Sequence, residues 1–205
     1  MTVTISRLYD SYADAQRAVT RLESAGVPHS DISIVANNSD NWFEGGKKDR
    51  DRDGVDDRAE SAGKGAGIGA GLGGAAGLLA GLGLLAIPGL GPVVAAGWLA
   101  STAAGAAAGA ATGGIVGALT EAGVSDEDAH VYAEGVRRGG TLVSARVADA
   151  DRTRLDAVLN ESAVNLRDRS ATWQKSGWKR FDPASAPYGA DEVRRERQLY
   201  GSGMR

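Results

Sequence analysis

An α+β fold is predicted for this chain: a ferredoxin-like head of two βαβ units, interrupted by a Gly/Ala-rich helical hairpin and followed by an aromatic tail. Three observations carry the prediction. Apolar periods of 2 and 3.6 alternate near both ends of the chain, residues 65–120 contain no charged side chain, and large aromatics gather after residue 169.

Residues 2–8, with Val3 and Ile5 in alternation, read as a strand. Ser11 then caps a helix with Asp14 at the box position, and Ala15, Ala18, Val19 and Leu22 form its buried stripe. Gly26 and Pro28 stop it. Residues 31–36 place Ile32, Ile34 and Ala36 on one face of a second strand, which completes a βαβ unit within residues 1–36. Residues 37–64 are a linker of mixed acids and bases.

Residues 65–122 carry two ladders of small residues four apart: Gly65, Gly69, Gly73, Gly77 and Gly81, then Gly97, Ser101, Gly105, Gly109, Gly113 and Gly117. Between them, Pro88-Gly89-Leu90-Gly91-Pro92 cannot continue a helix but can turn one back, which predicts helices over 65–87 and 93–119. Residues four apart share a helix face, and their missing side chains let another backbone approach closely. Each interior Gly costs about 1 kcal/mol relative to Ala in water, so such helices need tight neighbours or a membrane. A four-residue step drifts about 40° around the helix, so one straight partner cannot fill a ladder and homo-oligomerisation is expected. At about 1.5 Å per residue both helices are long enough to span a bilayer. Their apolar content is largely Ala and Gly, however, and burial inside an oligomer or against the chain's own sheet stays open beside a membrane.

Regular patterning returns at Ser125, which caps a helix carrying Asp126, Glu127 and Asp128 in its first turn and Arg137 and Arg138 in its last, before Gly139-Gly140 ends it. Residues 141–147 read as a strand, 149–161 as a helix with Leu155, Val158 and Leu159 inward, and 164–166 as a short last strand. Residues 123–168 are thus the second half of the head. Two βαβ units pair most simply as a four-stranded antiparallel sheet with two helices on one face. In the tail, residues 169–205, Trp173, Trp178, Phe181, Tyr188 and Tyr200 stand among charges and prolines. They either fold back over the chain's own sheet or dock on a neighbouring protomer or a membrane interface. Residues 190–199, rich in Glu and Arg, predict an exposed helix.

One metal-binding pattern stands out. Residues 49–60 place Asp49, Asp51, Asp53, Asp57 and Glu60 at the oxygen-ligand positions of an EF-hand loop, with Gly54 at the sharp turn and Val55 offering its carbonyl, so Ca²⁺ is the candidate ion. Asp56 replaces the apolar residue that would pair with a second loop, and Arg50, Arg52 and Arg58 offset the acids. A solvated linker is the competing reading. Gly69-Ala70-Gly71-Leu72-Gly73-Gly74 has the glycine spacing of a dinucleotide loop but lacks the strand that must precede it. His29 and His130 pair with no nucleophile or ligand in sequence, and no acid, base and nucleophile can be assembled, so a non-enzymatic chain without a required cofactor or small-molecule substrate is expected. A net charge of −3 with interleaved signs gives no nucleic-acid surface. The absence of Cys excludes disulfides and fits a reducing compartment. With no apolar signal region in the first ten residues, the expected location is the cytoplasm or the cytoplasmic side of the inner membrane.

The first βαβ unit, the segment Pro88-Gly89-Leu90-Gly91-Pro92-Val93-Val94, and the run Glu127-Asp128-Ala129-His130-Val131-Tyr132-Ala133-Glu134-Gly135-Val136-Arg137-Arg138-Gly139-Gly140-Thr141-Leu142-Val143 together resemble the bacterial general stress protein family (17M-type, heat-induced). The resemblance implies a stress-associated protein without turnover. The combined expectation is a non-enzymatic stress protein that self-assembles and associates with membrane lipid through the glycine-zipper hairpin. Two alternatives stand beside it: a soluble homo-oligomeric scaffold or filament with the hairpins packed inside, and a Ca²⁺-responsive binding module.

Overall fold

The structure, a computed structural model, describes residues 1–43, 82–102 and 114–201. Strand β1 (Thr2–Tyr9) leads into helix α1 (Tyr12–Ser24), where the Ser11 side chain accepts a hydrogen bond from the Asp14 amide at 3.1 Å. The buried face of α1 is Ala15, Ala18, Val19 and Leu22, the stripe expected from its period. Strand β2 (Ile32–Asn37) follows, then β3 (Gly83–Ile87) and β4 (Gly91–Gly97). Residues 98–102 are helical. Helices α2 (Gly114–Glu121) and α3 (Asp126–Arg137), strand β5 (Thr141–Ala148), and helices α4 (Arg152–Asn160), α5 (Leu166–Lys175) and α6 (Ala190–Gly201) complete the order. Ser125 caps α3 by accepting from the Asp128 amide at 3.1 Å.

The strands form one antiparallel sheet in the order β1-β5-β2-β4-β3. Both faces are covered. On one side α1 and α4 pack over Ile5, Tyr9, Ile32, Ile34, Val94, Ala96, Val143 and Ala145. On the other, α2, α3 and Trp173 of α5 pack over Leu8, Val35, Val93, Ala95 and Leu142. Adjacent residues of one strand therefore enter opposite cores, as the pleat requires.

The α+β class holds, while several expected elements take another form. The sheet has five strands where four were expected, and helices cover both faces where one was expected. Residues 164–166 do not form the expected last strand. Only the Val164 amide bonds β1, to the Leu8 carbonyl at 2.8 Å, before Asn165 caps α5 through the Arg167 and Asp168 amides.

The largest difference concerns the helical hairpin. Pro88-Gly89-Leu90-Gly91-Pro92 does reverse the chain, but the segments it joins over 83–97 are strands. Pro88 and Gly89 hold the central positions of a turn closed by the Leu90 amide on the Ile87 carbonyl at 3.0 Å, and Gly89 takes φ +74°, as the second central residue of a type II turn must. Val93 and Val94, branched at Cβ, pack one to each core, an arrangement that favours a pleated strand.

Candidate functional site

Of the predicted small-residue ladders, Gly97 ends β4, Ser101 lies in the helical residues 98–102, and Gly117 lies in α2. Gly65, Gly69, Gly73, Gly77, Gly81, Gly105, Gly109 and Gly113 lie outside the described residues, as do the Ca²⁺ candidates Asp49, Asp51, Asp53, Val55, Asp57 and Glu60. Among the described residues, no group of three or more His, Asp or Glu side chains could hold a metal ion, and no helix is long and apolar enough to cross a membrane.

Of the two expectations for the tail aromatics, Trp173, Phe181, Trp178 and Tyr188 take the inward one and converge on the chain's own α3 side. Trp173 and Phe181 are buried in the core on the α3 side, and Trp178 meets Trp173 edge to face at 5.7 Å. Tyr188 lies against Arg137, whose guanidinium carbon stands 4.7 Å from the ring centre, and Arg138 stands 4.9 Å from the Trp173 ring. The tail passes so close to two turns that a Cβ at Gly89 would meet Pro183 Cα at 2.7 Å, and one at Gly139 would meet Val193 Cγ1 at 2.8 Å. Helix α6 forms where expected and keeps Asp191, Glu192, Arg194, Arg195 and Leu199 exposed, while buried Val193 anchors its other face against the head.

A charged group beneath the tail was not singled out in the sequence. Glu134 of α3 is fully buried, accepting from Arg138 Nε at 2.6 Å and from Arg137 Nη1 at 3.3 Å. Burial opposes the charge on Arg138, but the hydrogen bond and charge of Glu134 outweigh it and raise the arginine's pKa. Arg138 extends to Glu196 of α6 at 3.0 Å, and Arg197 donates to the Gly139 carbonyl at 2.9 Å while pairing with Asp40. This network locks the tail to the end of the sheet through paired charges. Glu134 follows Val131 and precedes Val136 on α3, and in the fold it is wholly buried, with Tyr188 of the tail lying over both of its arginine partners.

The two sheet edges differ from this closed face. Just past the end of β2, the Asn38 amide bonds the Pro92 carbonyl of β4 at 2.9 Å, so even-numbered β4 residues face β2 and odd-numbered ones face β3. By the same alternation the backbone groups of Leu84 and Ala86 point away from β4. The strand Gly-Leu-Leu-Ala-Ile has no charge, no proline and no lysine, and Ala86 is exposed. Such an edge is a template for another strand. Its sequence signal was the Pro-Gly turn beside Val93-Val94, a hairpin signature overshadowed by the surrounding glycine spacing.

No curated protein and no solved structure matches the chain. Residues 4–83, which take in most of β1, all of α1 and β2, and the first residue of β3, match the family described as Heat induced stress protein YflT domain, consistent with the bacterial general stress proteins that the sequence resembles.

Proposed function

We propose that this chain is a non-enzymatic, stress-associated protein that assembles with copies of itself through the outer edge of β3. The observation that carries the reading is the apolar, uncharged edge strand with the Leu84 and Ala86 backbone groups directed outward. The match to a heat-induced stress protein domain supplies the stress context. Because the turn at 88–92 belongs to a β-hairpin with the tail seated on it, the described residues favour the homo-oligomeric scaffold over a lipid-inserted hairpin turning at that point. Backbone pairing gives such an assembly its register, and the Leu84 and Leu85 side chains give it apolar area on the two faces.

Size exclusion with light scattering on the full chain and on Ala86→Lys tests the reading. A lysine on an edge strand opposes edge-to-edge pairing. The expected result is a multimer for the native chain and a single-chain mass of 21.0 kDa for Ala86→Lys, with unchanged circular dichroism. A native chain that remains a monomer at every concentration, or a variant that keeps the native mass, overturns the edge assignment.

A further inference from the structure

The opposite edge of the sheet differs in chemistry and shape. Along β1 lies a cavity of about 350 Å³ lined by Thr4, Ser6, Arg7, Asp128, Tyr132 and Arg152 among others. The Val164 amide on the Leu8 carbonyl shows that even-numbered β1 residues direct their backbone groups away from β5. Thr4 and Ser6 therefore face the cavity. The Ser6 carbonyl is already taken by the Tyr132 hydroxyl and by Arg7 Nη1, at 2.5 Å and 2.7 Å. The Thr4 amide, the Thr4 carbonyl and the Ser6 amide have no partner among the described residues.

The chain begins to fill this edge and then leaves it. After α4, Val164 makes one strand-like bond to β1, and Asn165 turns the chain into α5. The remainder of the edge forms the floor of a slot whose walls are α3 on one side and α4 on the other. A slot between two helices admits a single extended chain far more readily than the edge of a folded sheet.

The walls also carry opposite charges. Arg7 and Asp156 satisfy each other at 2.6 Å and 2.7 Å. Arg152 on the α4 wall has no ionic partner among the described residues, and Asp128 on the α3 wall has only its cap bond from the Ser125 hydroxyl at 2.8 Å. An added strand sends alternate side chains to opposite faces. Acids at every second position would meet Arg152, and bases at the intervening positions would meet Asp128.

We propose that the β1 edge binds an extended peptide segment by strand addition, with preference for alternating acidic and basic side chains. The Thr4 and Ser6 backbone groups read the peptide main chain, and Arg152 and Asp128 select its side chains. This inference is independent of self-assembly through β3, which lies at the far edge of the sheet.

The test is fluorescence anisotropy on the full chain with a labelled octapeptide in which glutamate and lysine alternate, against a block octapeptide with all its glutamates before all its lysines, of the same composition and charge. The alternating peptide is expected to saturate the protein and to bind at least about tenfold more tightly than the block peptide, a difference of one decade in Kd. Thr4→Pro removes an outward amide from an edge strand, a position where proline is tolerated, and is expected to weaken the alternating peptide by about tenfold. Arg152→Glu places the same sign of charge on both walls and is expected to abolish the preference for the alternating order; because Arg152 is exposed and without an ionic partner among the described residues, this variant serves even if Thr4→Pro does not fold. Absence of saturable binding, equal binding of both peptides, or retention of the preference in Arg152→Glu overturns the proposal. Loss of the native oligomer in a Thr4→Pro variant whose circular dichroism is unchanged overturns it too, because it would assign the edge to a second copy of the chain.

Discussion

Two buried tyrosines donate hydrogen bonds of the same length, 2.5 Å, yet their removal should not cost the same. The Tyr9 hydroxyl donates to the Leu159 carbonyl in the last turn of α4, where no later helical amide is available: the Ala163 amide goes instead to Asn160, at 3.2 Å. Tyr9→Phe therefore leaves a buried acceptor unpaired, at a cost of about 1–3 kcal/mol. Tyr132 donates to the Ser6 carbonyl, which also accepts from Arg7 Nη1 at 2.7 Å. Tyr132→Phe leaves that carbonyl satisfied and forfeits only the net worth of one hydrogen bond, about 0.5–1.5 kcal/mol. The difference between the variants is about 1 kcal/mol at the centres of those ranges. Urea unfolding followed by tryptophan fluorescence measures it. The rings lie on opposite faces of the sheet with different acceptors, so the double variant should be additive to within about 0.5 kcal/mol. If Tyr132→Phe destabilises the chain as much as Tyr9→Phe, the argument from the unpaired carbonyl fails.

The same tyrosines govern stability in alkali. Burial pushes Tyr132 up to about 12 from an ordinary value of 10.0 and raises Tyr9 as well. The unfolded chain thus releases these protons first, and their contribution is whole below pH 10, then falls by about 1.4 kcal/mol per pH unit for each tyrosine up to its folded value. Urea midpoints between pH 9 and 12 should show a shallower decline in Tyr132→Phe, and parallel curves would count against burial as the cause. At the charge cluster, Glu134→Ala removes a fully buried carboxylate from two arginines. Breaking such a pair costs about 3–5 kcal/mol, and the lower end applies because Arg138 keeps Glu196 at 3.0 Å. Thermal and urea unfolding should register that loss, whereas a change below about 1 kcal/mol would mean that water replaces the carboxylate.

Where one face of an element was buried and the other exposed, its form was legible from the chain. Helix α1 shows Ala15, Ala18, Val19 and Leu22 at helical spacing, and Ser11 and Ser125 cap their helices through the residues three positions later, as their patterns imply. Strand β4 has no such contrast. With Val93 and Ala95 in one core and Val94 and Ala96 in the other, it reads as a continuous apolar run whose period is hidden. Glycines at four-residue spacing then suggested a helix, and the Pro88-Gly89 turn was placed in the right position between the wrong elements.

The candidate sites divide along the same line. The tail aromatics were visible as a cluster seeking a surface, but which surface depended on where α3 ended and on whether Glu134 had its arginines. The edge positions are products of topology: among the described residues, β1 and β3 become the edges because β5 inserts between β1 and β2 while the β3-β4 hairpin adds outside β2. Local periodicity, capping residues and turn residues determine secondary structure because they act within a few positions of the chain. The order of strands, the burial of Glu134, and the outward direction of the Thr4, Ser6, Leu84 and Ala86 backbone groups arise from contacts between distant segments, so only the tertiary structure decides them.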